Sequence, residues 1–193
     1  MNKVKVLIQG YAKQIENGWL ASSTVTFVQA NDKKIIVDPG CNREKLLEEL
    51  AKNDLKPADI DFVFLTHSHG DHALLAGIFN NAKVLTPAEI YDNDNQIEHD
   101  NKISGTDLEI IQTPGHSSEH CSLVVPTEEG IYVVAGDVFW WTDDEEQKID
   151  VEKEDDAHPD EVNMKNLIKN RKRLLEIADY IIPGHGKMFK VGK

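Results

Sequence analysis

Cysteine is scarce in this chain: there are two in 193 residues, Cys41 and Cys121. Two thiols so far apart make neither a disulfide framework nor a cysteine-rich zinc site. They read as reduced thiols of an intracellular protein. Basic charge is also short, with 21 Lys and Arg against 34 Asp and Glu and a net charge of −13. That balance disfavours broad binding to nucleic acid or to an anionic membrane surface. Long apolar runs are missing, and none approaches the ~20 residues that span a bilayer. The opening Met1-Asn2-Lys3-Val4-Lys5-Val6-Leu7-Ile8 has no cleavage pattern and reads as a strand rather than a leader. These absences predict a cytoplasmic protein with no membrane partner. There is no internal repeat, and no glycine-rich phosphate loop follows a strand.

What is present is an α/β chain of single-domain size, residues 1–193. Val4, Val6 and Ile8 alternate with polar residues, as a half-buried strand does. Residues 11–23 read as a loop or hairpin, and strands at 24–29 and 33–37 complete a meander. Asn42 is placed to cap a helix over 43–52, with Leu46, Leu47 and Leu50 on its apolar face. A strand at 61–65 precedes a short buried helix at 73–79. Strands follow at 83–86, 108–112, 122–125 and 131–135, with loop and short strands over 88–107. Residues 143–161 hold eleven Asp or Glu against two Lys, which predicts a solvated loop. Pro159 then suits an early helical position. The helix predicted over 160–178 turns Leu167, Ile168, Leu175 and Ala178 inward and Lys165, Lys169, Arg171 and Lys172 outward. A last strand covers 180–182. Helices interspersed this way among strands predict an α/β sandwich rather than a Rossmann sheet.

The densest chemistry lies in Thr66-His67-Ser68-His69-Gly70-Asp71-His72, directly after the apolar run Phe62-Val63-Phe64-Leu65. Imidazole and carboxylate bind zinc and similar divalent ions, and Gly70 permits a tight turn. The pattern of an apolar strand, a small turn and a ligand-type residue recurs three times, at His116, Asp137 and His185. A lone histidine after Pro-Gly is ordinarily a surface residue. Seven ligand-type groups, all at predicted strand ends, are not packed for structure alone.

The series His-x-His-x-Asp-His, Pro-Gly-His, Gly-Asp and Pro-Gly-His-Gly, with Asp38-Pro39-Gly40 upstream, resembles the metallo-β-lactamase-fold hydrolase superfamily. Val6-Leu7-Ile8-Gln9-Gly10-Tyr11-Ala12 and Val133-Val134-Ala135-Gly136-Asp137-Val138-Phe139 extend the likeness. The resemblance implies a four-layer αββα sandwich, two mixed sheets with helices on both outer faces. It assigns His67, His69 and His116 to one divalent ion, Asp71, His72 and His185 to a second, and Asp137 to both. Asp38 would sit behind them, hydrogen-bonded to the ligand turn. Zinc is the first choice, and iron or manganese fits the same ligands. The implied activity is hydrolysis of ester, thioester or lactone bonds by a metal-bridging hydroxide. Asp71 would also move the proton to the leaving group. The alternative is a phosphodiesterase or ribonuclease, which the acidic charge disfavours. Tyr11, His120 and Trp140 are candidate substrate contacts. Trp140 and Trp141 point opposite ways, so one of them is free to face the pocket mouth or a second copy in a homodimer.

Overall fold

The computed structural model describes residues 1–158 and 160–192. Strand β1 (Lys3–Ile8) is followed by the hairpin β2 (Tyr11–Ile15) and β3 (Gly18–Ser22), then by β4 (Val25–Ala30) and β5 (Lys33–Val37). Helix α1 (Arg43–Lys52) leads to β6 (Phe62–Phe64), the short helix α2 (Gly70–Ala73) and β7 (Lys83–Leu85). Next come β8 (Glu89–Asp92), β9 (Asn95–Glu98), β10 (Glu109–Gln112), β11 (Cys121–Thr127) and β12 (Gly130–Trp140). Helix α3 (Met164–Ile177), β13 (Tyr180–His185) and β14 (Phe189–Lys190) finish the chain.

One sheet has the order β1-β4-β5-β6-β7-β8-β9 and the other β10-β11-β12-β13-β14. Both are mixed: β6 runs parallel to β5 and β7, and β13 runs parallel to β12. Val28, Ile35, Phe64 and Leu85 of the first sheet meet Ile110, Leu123, Val134 and Ile182 of the second in one buried cluster. The opposite face of the first sheet, through Val25, Ile36 and Val63, packs on Leu46 and Leu50 of α1. The outer face of the second, through Val133, Ala135 and Ile181, packs on Leu167 and Leu174 of α3. The layers are therefore αββα, as the sequence resemblance implies.

Several local expectations change. On α1 the buried stripe is Leu46 and Leu50, one turn apart, while Leu47 is exposed. Asn42 caps this helix by accepting from Lys45 N, and residues 11–23 are a hairpin. The helix expected over 73–79 begins earlier, inside the ligand motif at Gly70, and gives way to a 3₁₀ turn at Ala76–Ile78. Helix α3 starts at Met164, with Asn163 as its cap. Pro159 lies outside the described residues. Arg171 is buried rather than outward: its Nε donates to Val138 O and its Nη1 to the carbonyls of Val151 and Lys153. Its guanidinium saturates backbone acceptors that a hydrophobic side chain would leave unpaired. Among the described residues, no helix is long and apolar enough to cross a membrane.

Candidate metal centre

Asp38 ends β5 with φ at +49°, a left-handed conformation uncommon outside glycine. Its carboxylate accepts from Thr66 N at 2.8 Å and Thr66 Oγ1 at 2.7 Å, and pairs with His72 Nδ1 at 2.9 Å. Ser23 N and Gly40 N donate to the carbonyls of Asp71 and His72. These contacts fix the turn that follows β6 and aim its side chains between the sheets. Asp38 thus stands where the sequence places it, behind the cluster.

Three imidazole nitrogens converge. His69 Nδ1 lies 3.0 Å from both His67 Nε2 and His116 Nε2. Asp137 Oδ2 is 3.4 Å from His116 Nε2, 3.7 Å from His185 Nε2 and 3.9 Å from His67 Nε2. Its other oxygen, Oδ1, lies 3.3 Å from His72 Nε2. Asp71 Oδ2 is 3.2 Å from His185 Nε2 and 4.0 Å from His72 Nε2. All seven ligand-type residues therefore meet, with Asp137 between the two sets. His67, His69, His116 and Asp137 form one group able to hold a cation, and Asp71, His72 and His185 form another.

Asp137 corrects one expectation. It is not at a strand end but inside β12, where the pairing with β13 shifts register around Gly136. Gly136 has φ at +52°, and a Cβ there would strike Thr66 Oγ1 and His120 Nε2. A Cβ on Gly184 would occupy the place of Asp137 Oδ1. The bulge turns the carboxylate inward, and the missing side chains leave room for it.

The arrangement fits divalent ions. His72 Nε2 and Asp137 Oδ1 are buried, with no hydrogen-bond partner, and face one another without hydrogen-bond geometry. Buried polar atoms are normally satisfied, and a shared cation satisfies both. The far nitrogen of every converging imidazole is also fixed. His67 Nδ1 meets Thr66 Oγ1 at 3.0 Å, and His72 Nδ1 meets Asp38. His185 Nδ1 donates to Tyr11 O at 3.0 Å. His116 Nδ1 meets Asp155 Oδ2 at 2.7 Å, and His69 Nε2 meets Glu161 Oε2 at 3.2 Å. Such partners set the tautomer and orientation of metal-binding histidines.

A family model described as the metallo-beta-lactamase superfamily matches residues 18–90. Metallo-beta-lactamase domain-containing protein 1 of Xenopus laevis is 32% identical over the whole of this chain and 83% of its own length. The chain belongs to the metallo-β-lactamase superfamily. It is accordingly an enzyme of that superfamily. Solved structures agree in fold. A metallo-beta-lactamase-type protein from Thermotoga maritima matches 98% of this chain and 99% of its own, with a TM-score of 0.71 at 22% identity. A protein solved in a di-iron-bound form matches 88% and 90%, with a TM-score of 0.64 at 20% identity. AidC, a dizinc quorum-quenching lactonase, matches 87% and 74%, with a TM-score of 0.60 at 14% identity.

In this metallo-β-lactamase fold the cluster forms the floor of a cavity of about 390 Å³. Trp140 lines the cavity while Trp141 packs in the α3 core, its Nε1 donating to Lys148 O. The two tryptophans divide as alternation predicts. Tyr11 and His120 do not line it. The hydroxyl of Tyr11 sits beside Asn42, and it is the Tyr11 carbonyl that serves the site, through His185. His120 is fully buried; its Nε2 accepts from Asp137 N at 3.1 Å, and its Nδ1 meets Thr113 Oγ1. It holds the β12 bulge from beneath.

Sequence reasoning missed Asp155, Glu161 and His158: Asp155 falls in the run read as a solvated loop, and His158 and Glu161 at the start of the helix expected over 160–178, which begins only at Met164. Asp155 is buried, and the His158 ring lies 4.2 Å from that of His69. Arg171 pins this segment from below, and Lys153 Nζ ties it to Trp140 O at 2.8 Å. Eleven acidic residues in one run carry no mark that singles out Asp155.

Without an ion the cluster is strongly polarised. Burial opposes ionisation of Asp137, but His72, His185 and His116 overcome it and hold the carboxyl well below its usual range. Burial likewise works against a charge on His72, yet Asp137 and Asp38 raise it well above an ordinary imidazole. His116 is raised, with burial outweighed by Asp137 and Asp155. Burial, with neighbouring imidazoles, pushes His67 and His120 well down. Asp71 is lowered, since His185 and His72 outweigh its burial.

Proposed function

We propose that the chain is a dinuclear metallohydrolase of uncharged ester-type bonds: ester, thioester or lactone. The observation that carries this reading is the meeting of seven ligand-type side chains beneath a cavity with no Lys or Arg among its described lining residues. A phosphodiester carries a fixed negative charge; bound ions would meet it at the floor, but the described lining offers no Lys or Arg to hold the rest of a nucleic-acid backbone. This cavity presents alanine, leucine and tryptophan instead. The acidic segment that borders it is a further reason to set the phosphodiesterase alternative second.

His67, His69 and His116 would hold one ion and Asp71, His72 and His185 the other, with Asp137 between the two sets. The donor set suits zinc first, with iron or manganese close behind; the dizinc and di-iron neighbours support either. Bound ions supply a water acidic enough to attack at neutral pH and polarise the scissile carbonyl. Asp71 lies at the cavity floor with its side chain 27% exposed, within reach of both water and substrate. Its carboxylate would take the proton of the attacking water and return it to the leaving oxygen or sulfur as the acyl bond breaks. His185, its Nδ1 fixed by the Tyr11 carbonyl, stands beside Asp71 with Nε2 turned to the cluster. Trp140 walls the cavity and keeps bulk water from the reacting bond.

The test is a panel of uncharged esters, thioesters and lactones offered to protein of measured metal content, beside an Asp137→Ala variant. Turnover of one of these classes, with metal load and activity both reduced in the variant, is expected. A fully loaded chain inert across the panel, with the variant binding the same load, overturns the reading.

A further inference from the structure

His69 has two ring nitrogens, and the centre uses one of them. Nδ1 converges with His67 Nε2 and His116 Nε2, each 3.0 Å away. Nε2 points the other way, to Glu161 Oε2 at 3.2 Å. His158 stands against the same ring, with centroids 4.2 Å apart and planes tilted by 43°. His69, His158 and Glu161 thus bring one donor atom each within 4.8 Å of the others. This group shares only His69 with the seven ligands of the centre.

A single turn holds the two further donors together. Glu161 N and Val162 N donate to His158 O at 2.9 and 3.3 Å, so His158 and Glu161, three residues apart, share one face of that turn. Asn163 N donates to Gly115 O at 2.7 Å and anchors the turn beside His116. Among the described residues the His158 ring has no hydrogen-bond partner, and its neighbours are the rings of His69 and His116. Imidazoles and a carboxylate gathered in this way suit a borderline divalent ion. The run 143–161, with eleven Asp or Glu against two Lys, draws cations to this place. Zinc at about 2.0–2.2 Å from each donor spans donors about 4 Å apart. His158 and Glu161 are exposed, and rotation of their side chains closes the remaining gap.

We propose that His69 Nε2, His158 and Glu161 form a third cation site at the edge of the cavity, suited to zinc and weaker than the two of the centre. His69 then bridges two ions, with Nδ1 on one and Nε2 on the other. Its Nε2 proton passes to solvent as the ion binds, and Glu161 turns from that proton to the ion. His69, Ala157 and His158 line the cavity, so an ion here narrows the mouth and excess metal slows turnover. The slowing rests on the hydrolase reading; the binding site does not.

The experiment is equilibrium dialysis of the full chain against rising free zinc, with turnover of the ester panel followed on the same samples. A third equivalent should bind after the first two are full. His158→Gln and Glu161→Gln should each weaken it at least about tenfold, since a ligand matters no less than the group behind one, and should leave the first two bound. Asp160→Asn removes the same charge as Glu161→Gln without removing a donor, and should keep the third equivalent. Turnover should fall in the parent as the third ion binds, and should not fall with added zinc in His158→Gln. A chain that stops at two equivalents overturns the proposal. So does a third equivalent that persists in both donor variants, or one lost equally in Asp160→Asn, which is counter-ion binding to the acidic run. A third equivalent that leaves turnover unchanged overturns its effect on the mouth. If the third equivalent behaves as expected and nothing in the panel is cleaved, the site stands and the hydrolase reading falls. If esters are cleaved and only two ions bind, the hydrolase reading stands and the site falls.

Discussion

His72 and His116 face the same carboxylate, Asp137, yet their far nitrogens rest on different kinds of structure. His72 leans on Asp38, which ends β5 and also takes the N–H and hydroxyl of Thr66. His185, in the same half of the cluster, leans on the Tyr11 carbonyl at the start of β2. His116 leans on Asp155, and His69 on Glu161, both in an acidic segment whose described residues form no helix or strand. One half of the centre is therefore built by the sheets, and the other is completed by a loop that Arg171 and Lys153 pin in place. In the first half fold and site share the same contacts. In the second a substitution can alter the site and leave the fold standing.

The largest effect is expected from Asp38→Ala. It strips partners from Thr66 N, Thr66 Oγ1 and His72 Nδ1, all buried. Each orphaned group costs about 1–3 kcal/mol, so stability should fall by about 3 kcal/mol or more, and metal binding should fall with it. Denaturant unfolding beside metal analysis checks this. A variant as stable as the parent would show that the turn is held elsewhere and would remove the contrast between the halves.

Asp155→Asn comes next and should separate what Asp38→Ala joins. Losing a carboxylate behind a metal-binding histidine costs roughly 10- to 100-fold in metal affinity. On the proposed two-ion reading the loss should fall on one of two equivalents, with the unfolding transition nearly unchanged. Competition with a chelator, followed for both equivalents, provides the measurement, and Asp155→Glu should restore part of the affinity. Equal weakening of both equivalents would mean that the halves are not independent.

A proton count sharpens the comparison further. His72 and His116 are both raised in the ion-free chain, His72 the more strongly. An imidazole above its usual value of about 6.5 still carries a proton near neutrality, and metal displaces it. Loading at pH 7 should therefore release protons, and affinity should fall as pH falls. Calorimetry in buffers of different ionisation heat measures the release; a count of zero would contradict the polarisation described for the cluster.

The two halves also differed in how far they could be read in advance. Spacing exposed His67, His69, Asp71 and His72, because four ligand types in six residues have no ordinary packing role. His116, Asp137 and His185 were legible through the small residues before them, and the reason for those residues is now visible: a side chain at Gly184 would displace the Asp137 carboxylate. The strand-end rule failed at Asp137 itself, since a bulge inside β12 leaves no mark in hydropathy. Arg171 was misread because a cationic residue on a helix is ordinarily solvated, and here backbone carbonyls replace water. Asp155 was illegible for a related reason. Its burial is decided by where a loop is pinned, not by its neighbours in the chain.

The smallest effect is expected at Glu161→Gln, and its smallness is informative. The Glu161 side chain is 54% exposed and 3.2 Å from His69 Nε2. An exposed pair of this kind is worth at most about 1 kcal/mol and is screened by salt. Metal affinity should therefore drop by no more than about fivefold, and raising the ionic strength should weaken the parent protein more than the variant. Chelator competition at low and high salt reads both quantities. A loss as large as that of Asp155→Asn would give Glu161 a different role. Glu161, His158 and His69 are also grouped closely enough to hold a cation among themselves. A large effect would mean that the loop contributes a ligand to the centre, beyond orienting those that the sheets provide.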